Sequence, residues 1–480
     1  MADIARDAAN VDDYSFDRAY DTKIIYIYTI DAEDHAGCVK VGKASIAKQN
    51  PTDEEVDNAA KQRIASQLRT AGIRCKSFYA EVAIRTDPDG VLHSFWDHEV
   101  HDVLLRSGIR KKKFGTNAQE WFECSMETAR AAIRAVKENR QSLLAQEVRD
   151  DFEPIKFRPE QIKAIEQTRK VFAKENDMLW NAKMRFGKTV TALQLVREME
   201  FRKTLIFTHR PVVAKGWHED FQKIFFDRND YAFGSKMGFG ADIDWLERSG
   251  RNFVFFASLQ DLRGSELVGG NYDKNLELYA TDWDCIIIDE AHEGTLTDIG
   301  EKVFERLKKP RTKVLRLSGT PFNLLDKFSA ANTYTWDYVM EQRAKKQWDV
   351  EHPDEPNPYS TLPAMCIYTY DISRLLGNDE VEEDSAFNFR EFFRINGDYD
   401  NFVHEDRVKD FLNLLVDNDA DSMYPFSNER FENTFRHTLW MVPGVKASRA
   451  LSALLKNHDT FGRYTIVNVA GDGDEEEDHD

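Results

Sequence analysis

The stretch WNAKMRFGKT, residues 180–189, ends in Gly187-Lys188-Thr189, residue types that together can hold a phosphate chain. Backbone N–H groups at a helix N-terminus face anions, Lys188 supplies a cation, and the Thr189 hydroxyl can reach a Mg²⁺ ion that bridges phosphates. Ala182 stands where the strict pattern has glycine, and Arg185 stands where many such loops have a second one. Backbone amides come from any residue type, so both are tolerable wherever the backbone avoids positive φ. The cradle is therefore read as Ala182, Lys183, Met184, Arg185, Phe186, Gly187, Lys188 and Thr189. Downstream, CIIIDEAH places Asp289 and Glu290 at the end of an apolar strand, where paired carboxylates are costly unless a metal or hydrogen bonds offset them. Further on, LRLSGTP ends a second apolar strand in Ser318 and Thr320, and FRPEQ, ending at Gln161, precedes the loop. Such an ordered set predicts a working nucleotide site.

The elements that must position these residues can be read from periodicity. MLWNA, TLIFT, FVFFAS, CIIIDE and VLRLS are continuous apolar runs, which suit a parallel sheet covered on both faces. After the loop, KTVTALQLVREMEF places Val190, Leu193, Val196 and Met199 on one helical stripe. Upstream, KIIYIYTI and CVKVG predict two strands across a polar turn at 31–37, and NAAKQRIASQL and ETARAAIRAVKENR predict helices. The fold class is thus α/β. Five sections follow: an α/β unit at 23–140, a charged linker at 141–156, a parallel-sheet domain at 157–330, an unassigned region at 331–436, and 437–480. In the last section RHTLWMVPG and YTIVNVAG predict strands around a helix at KASRALSALLKNH.

Composition bounds the setting. At 480 residues the chain is too long for one core. Its net charge is −19, yet residues 371–480 hold 25 Asp+Glu against 11 Lys+Arg, a balance of −14, so residues 1–370 carry only −5. Global acidity therefore does not exclude a nucleic-acid partner. Five scattered cysteines without CxxC spacing disfavour a disulfide framework or zinc knuckle and fit a reducing cytoplasm. No apolar run approaches a membrane span, so no membrane partner is expected.

The order FRPEQ, GKT, DEAH, SGTP resembles the superfamily 2 helicases and translocases, in the branch shared with the ATP-dependent subunits of restriction enzymes. The resemblance covers about residues 155–330 and implies a RecA-like ATPase domain. It implies that Gln161 recognises adenine, Lys188 holds the β/γ-phosphates and Asp289 holds Mg²⁺. Glu290 would orient the attacking water, and His292 would couple to Ser318 and Thr320. ATP and Mg²⁺ are the cofactors implied and duplex DNA the partner, with TLIFTHRP and FASLQ resembling segments that touch its backbone. HTLWMVPGVKASRA resembles the opening of a second RecA-like domain, the source of an arginine finger in this family. A fragment of a longer protein, or a partner subunit that completes the motor, is the expectation; alone, the chain would bind ATP and turn it over poorly.

Residues 23–125 resemble the GIY-YIG nuclease fold in its phage-type variant, with IIYIY and VKVG as the two short strands. Ile24 stands where the first motif has glycine. By position, the resemblance makes Tyr26 the tyrosine that orients the attacking water, with Tyr28 on the same strand face. Lys40 takes the second tyrosine's place, Gly42 and Lys43 lie beside it, and Arg63 would bind the scissile phosphate. If FWDHEVHDVLL is helical, Asp97 and His101 share a face while Glu99 points away. Asp97 is therefore preferred as the metal ligand, with Glu99 the second choice. RKKKF at 110–114 is either a phosphate grip or a solvated basic turn, and EWF closes the motif set.

Two functions are consistent with this pattern. One is an ATP-dependent, restriction-type DNA endonuclease whose motor engages DNA and whose N-terminal domain cuts it. The other is a non-cutting nucleic-acid-dependent ATPase whose N-terminal domain only binds. A nuclease with a vestigial motor is a third, weaker reading.

Overall fold

The computed structural model describes residues 21–69, 73–87, 89–114, 120–148, 153–262, 265, 268, 275–291, 298–322, 324–365, 388–397, 401–416 and 437–470. The chain divides into two compact units, Met1–Pro363 and Ala364–Asp480. The first holds both the N-terminal α/β domain and the parallel-sheet domain.

In the N-terminal domain, strands β1 (Thr22–Ile30) and β2 (Val39–Ile46) pair antiparallel across the expected turn. With β3 (Cys75–Val82) and the two-residue β6 (Trp121–Phe122) they make a sheet of order β3-β1-β2-β6; a small hairpin, β4 (Ile84–Thr86) with β5 (Leu92–Ser94), stands apart. Alternation along β1 divides its side chains between two layers. Ile24, Tyr26 and Tyr28 pack with Val56, Ala60 and Ile64 of helix α1 (Asp53–Leu68). Ile25 and Ile27, with Val39 and Val41 of β2, pack against α2 (Asp97–Arg106) and α3 (Met126–Lys137). Helix α1 starts five residues before the predicted run because Thr52 and Glu55 close a capping box.

The second domain is a seven-stranded parallel sheet of order β13-β7-β12-β11-β8-β10-β9. Its strands are β7 (Asp177–Ala182), β8 (Lys203–Thr208), β9 (Tyr231–Ser235), β10 (Asn252–Ser258), β11 (Cys285–Asp289), β12 (Lys313–Ser318) and β13 (Thr333–Trp336). The five apolar runs are five of these strands, and buried layers cover both faces as a βαβ sheet requires. One layer takes α4 (Pro159–Phe172), α5 (Lys188–Met199) and α6 (Ala214–Ile224). Helix α5 is buried more broadly than its predicted stripe, since Thr191, Ala192 and Leu195 are also enclosed.

Two section boundaries move. The domain does not end near 330: β13 adds a parallel edge strand to β7, and α7 (Tyr338–Glu351) with Tyr359 and Leu362 packs on the same layer. The expected linker is partly structural, because Leu143 is buried and Arg140 pairs with Glu147 in a short helix at Ala145–Val148.

The second unit packs α8 (Glu405–Leu415) with α9 (Val445–Lys456) through Val408, Leu412, Leu451, Leu455 and Phe461. The predicted helix is there. The strands predicted at 436–444 and 464–471 do not form among the described residues, where the unit's only β pairing is the isolated bridge Ile395–Phe402. Pro443 supplies no donor and Gly444 turns the chain at φ +98, so this stretch runs straight into α9 instead.

Candidate functional site

The nucleotide site is assembled where β7, β11 and β12 end, the edge at which parallel sheets bind ligands. Gly187 caps α5 at φ +84 and brings no capping side chain, so the N–H groups of Lys188, Thr189 and Val190 are left for an anion. A side chain at Gly187 would come within 2.7 Å of Gln161 Nε2. Lys188 Nζ donates to Ala182 O at 2.9 Å. Burial lowers its pKa, opposed by Glu290 and Asp289. Asp289 is raised by burial and restrained by a hydrogen bond from Trp217; its two oxygens accept from Trp217 Nε1 at 3.2 Å and Glu290 N at 3.0 Å. Ser318 Oγ accepts from Thr320 N, and a side chain on the intervening Gly319 would lie 3.6 Å from Lys188 Nζ. Lys188, Asp289, Glu290, Ser318 and Thr320 thus lie together at this sheet edge. His292 lies outside the described residues.

The loop itself corrects the expectation. Arg185 adopts φ +66, the left-handed region that glycine occupies without strain, so its backbone does not avoid positive φ. Side chains hold it there: Arg158 donates to Arg185 O and Phe186 O, and Gln161 Nε2 donates to Phe186 O at 2.8 Å. Gln161 Oε1 in turn accepts from Arg158 N, so its amide fixes the loop. Lys183 is turned away from any phosphate, its Nζ pairing with the fully buried Glu341 at 2.6 Å and its N–H donating to Trp336 O. The Phe186 ring is buried against Trp180 and Tyr334, whereas Met184 is exposed. The residues fit a Mg²⁺-bound nucleoside triphosphate: one cation, one amide-lined helix start and one half-buried carboxylate face the same edge. Among the described residues no three His, Cys, Asp or Glu side chains converge, so phosphate and water oxygens would complete the metal shell.

The N-terminal candidates separate onto two faces. Tyr26 hydrogen-bonds Arg63 and Gln67, and Tyr28 donates to Gln67 Oε1. Lys40 pairs with Glu120 at 3.2 Å, and both tyrosines feel the charge of Glu120. Burial pushes Tyr26 up to about 12, so it keeps its proton at neutral pH and can donate or orient. Gly42, opposite Tyr26 in the ladder, makes room for the ring: a Cβ there would sit 2.6 Å from its hydroxyl. The other candidates lie across the sheet. His101 Nε2 contacts Val41 O and its ring packs on Phe122; Lys43 stands 4.0 Å from Asp97, opposite Ile25; Glu99 pairs with Arg85. Asp97 and Lys43 therefore lie on the layer of Ile25, not that of Tyr26, and His101 feels the charges of both Asp97 and Glu120. Period-two alternation is the reason, since Lys40 and Lys43 differ by an odd number of residues. The carboxylate that joins the tyrosines is Glu120, whose signal was the EWF motif. Trp217 and Glu341 also escaped the sequence reading, having no motif of their own, and Arg158 was passed over within FRPEQ.

Residues 154–323 match the family model "Type III restriction enzyme, res subunit". The match covers about a third of the chain and supports a helicase-like ATPase domain there. A Mycoplasma pneumoniae protein named "Putative type II restriction enzyme and methyltransferase RM.MpnORF110P C-terminus" is 26% identical, over 65% of this chain and 52% of its own. The chain thus spans about half the length of this curated relative. Among solved structures, a Sulfolobus solfataricus SWI2/SNF2 ATPase core in complex with dsDNA overlaps 38% of this chain and 36% of its own at 21% identity and TM-score 0.28. A nuclease-deletion mutant of the Type ISP restriction-modification enzyme LlaGI overlaps 42% and 23% at 14% identity and TM-score 0.27. No described helix is long and apolar enough to cross a membrane.

Proposed function

We propose that the chain is the motor and nuclease part of an ATP-dependent, restriction-type DNA endonuclease. The observation that carries the ATPase half is Lys188 at the foot of β7, under the charges of Asp289 and Glu290 at the end of β11. In this reading the first-turn amides of α5 and Lys188 hold the β/γ-phosphates and Gly319 lets them lie close to Ser318 and Thr320. Glu290 orients the attacking water, Thr189 and Asp289 hold Mg²⁺, and Gln161 meets adenine while bracing the loop. Mg²⁺, when bound, neutralises charge on the phosphates. Positioning and electrostatics do most of the work.

For the nuclease half, Tyr26 and Tyr28 orient water, Lys40 and Arg63 neutralise the scissile phosphate, and Glu120, in place of Asp97 or Glu99, holds a single divalent cation. A non-cutting ATPase with a DNA-binding N-terminal domain is the alternative. ATP hydrolysis with and without duplex DNA tests the motor: DNA-stimulated turnover by wild type that is absent in Lys188→Ala is expected. Turnover equal in both proteins would sink the assignment of the site.

A further inference from the structure

Trp217 lies within α6 and is almost wholly buried, yet its indole N–H is not spent on the core: it donates to Asp289 Oδ2 at 3.2 Å. The other Asp289 oxygen is fixed by Glu290 N. A carboxylate held at both oxygens keeps one orientation, and groups that orient a metal ligand in this way govern metal affinity. A neighbouring face of the same helix meets the N-terminal domain. His218, the next residue, is buried with its ring 3.6 Å from where a Cβ on Gly108 would stand, and Gln222 Nε2 approaches Ser107 O at 3.4 Å. Gly108 has φ +82 at the end of α2, and Ser107 Oγ also receives Leu143 N, so this corner is a constructed seat. Beside it, Lys215 and Glu219 of α6 line a cavity of about 440 Å³ with Arg110 and Ser125.

Resting on the ATP-site reading above, we infer that Trp217 is the positioning residue for Asp289, and that α6 ties this carboxylate to the seat of the N-terminal domain at Ser107–Gly108. One rigid helix of 11 residues carries both contacts on adjacent positions. A shift that re-aims Trp217 toward a metal-loaded Asp289 must move His218 against Gly108 as well, because packed helices move as units. The N-terminal domain thereby senses nucleotide and metal through packing.

The test uses the whole chain with Mn²⁺ and ADP, reading metal binding by electron paramagnetic resonance. Trp217→Phe keeps an aromatic ring but loses the indole N–H and its five-membered ring, and Trp283→Phe is the control matched in volume, since that buried indole donates to Leu278 O. Mn²⁺ binding about tenfold weaker in Trp217→Phe and unchanged in Trp283→Phe is expected. Equal affinity in Trp217→Phe and wild type would overturn the positioning role. Hydrogen exchange at residues 107–109 reads the second half: Mn²⁺·ADP should change protection there in wild type and not in Trp217→Phe. No change in wild type would overturn the tie. Failure of wild type to bind Mn²⁺·ADP at all would instead overturn the ATP-site reading itself.

Discussion

At the scale of single residues, the two candidate sites turn on which charges share a face. Lys188 is the one cation of the loop aimed at the carboxylate strand end, because Lys183 is committed to Glu341 and Arg185 is exposed. Lys188→Ala should therefore lower ATP hydrolysis about a thousandfold, measured by phosphate release, with the fold intact by circular dichroism. Lys183→Met should keep most of the turnover; equal losses in the two variants would contradict the division of roles. In the N-terminal domain, Glu120→Gln should abolish metal-dependent cleavage while Asp97→Asn retains it within a few-fold, checked on nicked plasmid. The reverse order would restore the sequence-based choice. Motif spacing singled out Tyr26, Arg63, Lys188 and Asp289, and the fold sets Tyr26 beside Arg63 and Lys188 beside Asp289. It could not rank Asp97 against Glu120, because which carboxylate meets the tyrosines depends on how β6 pairs with β2, a tertiary fact.

At the scale of elements, the phosphate loop is held by its neighbours more than by its own sequence. Arg185 at φ +66 carries strain of about 1–2 kcal/mol that glycine would not. Arg185→Gly should keep nucleotide affinity and leave the melting temperature unchanged or raised, whereas Gly187→Ala, at φ +84 and against Gln161, should lose binding. A titration with a fluorescent ATP analogue distinguishes them. The Lys183–Glu341 pair joins the loop to α7, and removing Glu341 leaves a partly buried ammonium unpaired. Glu341→Ala should destabilise by about 2 kcal/mol in urea titration, and Lys183→Met/Glu341→Ala should recover part of that loss. Additive losses would show the pair contributes nothing. The five sheet strands were legible as apolar runs, and the helix after the loop by its period. The region at 333–363 was not: β13 is short and α7 is polar on most faces, so neither shows a clear pattern until it packs on β7 and the loop.

At the scale of the whole first unit, the N-terminal domain is seated on the ATPase domain rather than tethered to it. Gln141 donates to Asp242 and accepts from its N–H, Arg106 and Gly240 exchange hydrogen bonds, and Trp245 Nε1 donates to Asn139 O. His218 lies in this junction, beside Gly108, Gln222, Phe233 and Phe239, and burial pushes it down to about 4 from an ordinary 6.5. A lowered histidine binds its proton first in the unfolded chain, so stability falls as pH drops through 6.5 toward 4, by about 3 kcal/mol over the full window. Thermal melting from pH 7 to pH 5 should show a steeper decline for wild type than for His218→Gln. Parallel declines would place the titrating group elsewhere. The charged linker composition at 141–156 hid this docking, because the residues that make it, such as Gln141 and Gln146, are scattered through a polar stretch.

The most direct measurement is plasmid nicking with Mg²⁺, with and without ATP, comparing wild type, Arg63→Ala and Lys188→Ala. ATP-dependent cleavage by wild type, loss of cutting in Arg63→Ala with ATP binding intact, and loss of the ATP dependence in Lys188→Ala are expected. No cleavage by wild type with any divalent metal, alongside normal DNA-stimulated ATP hydrolysis, would contradict the nuclease assignment and leave a motor whose N-terminal domain binds DNA without cutting.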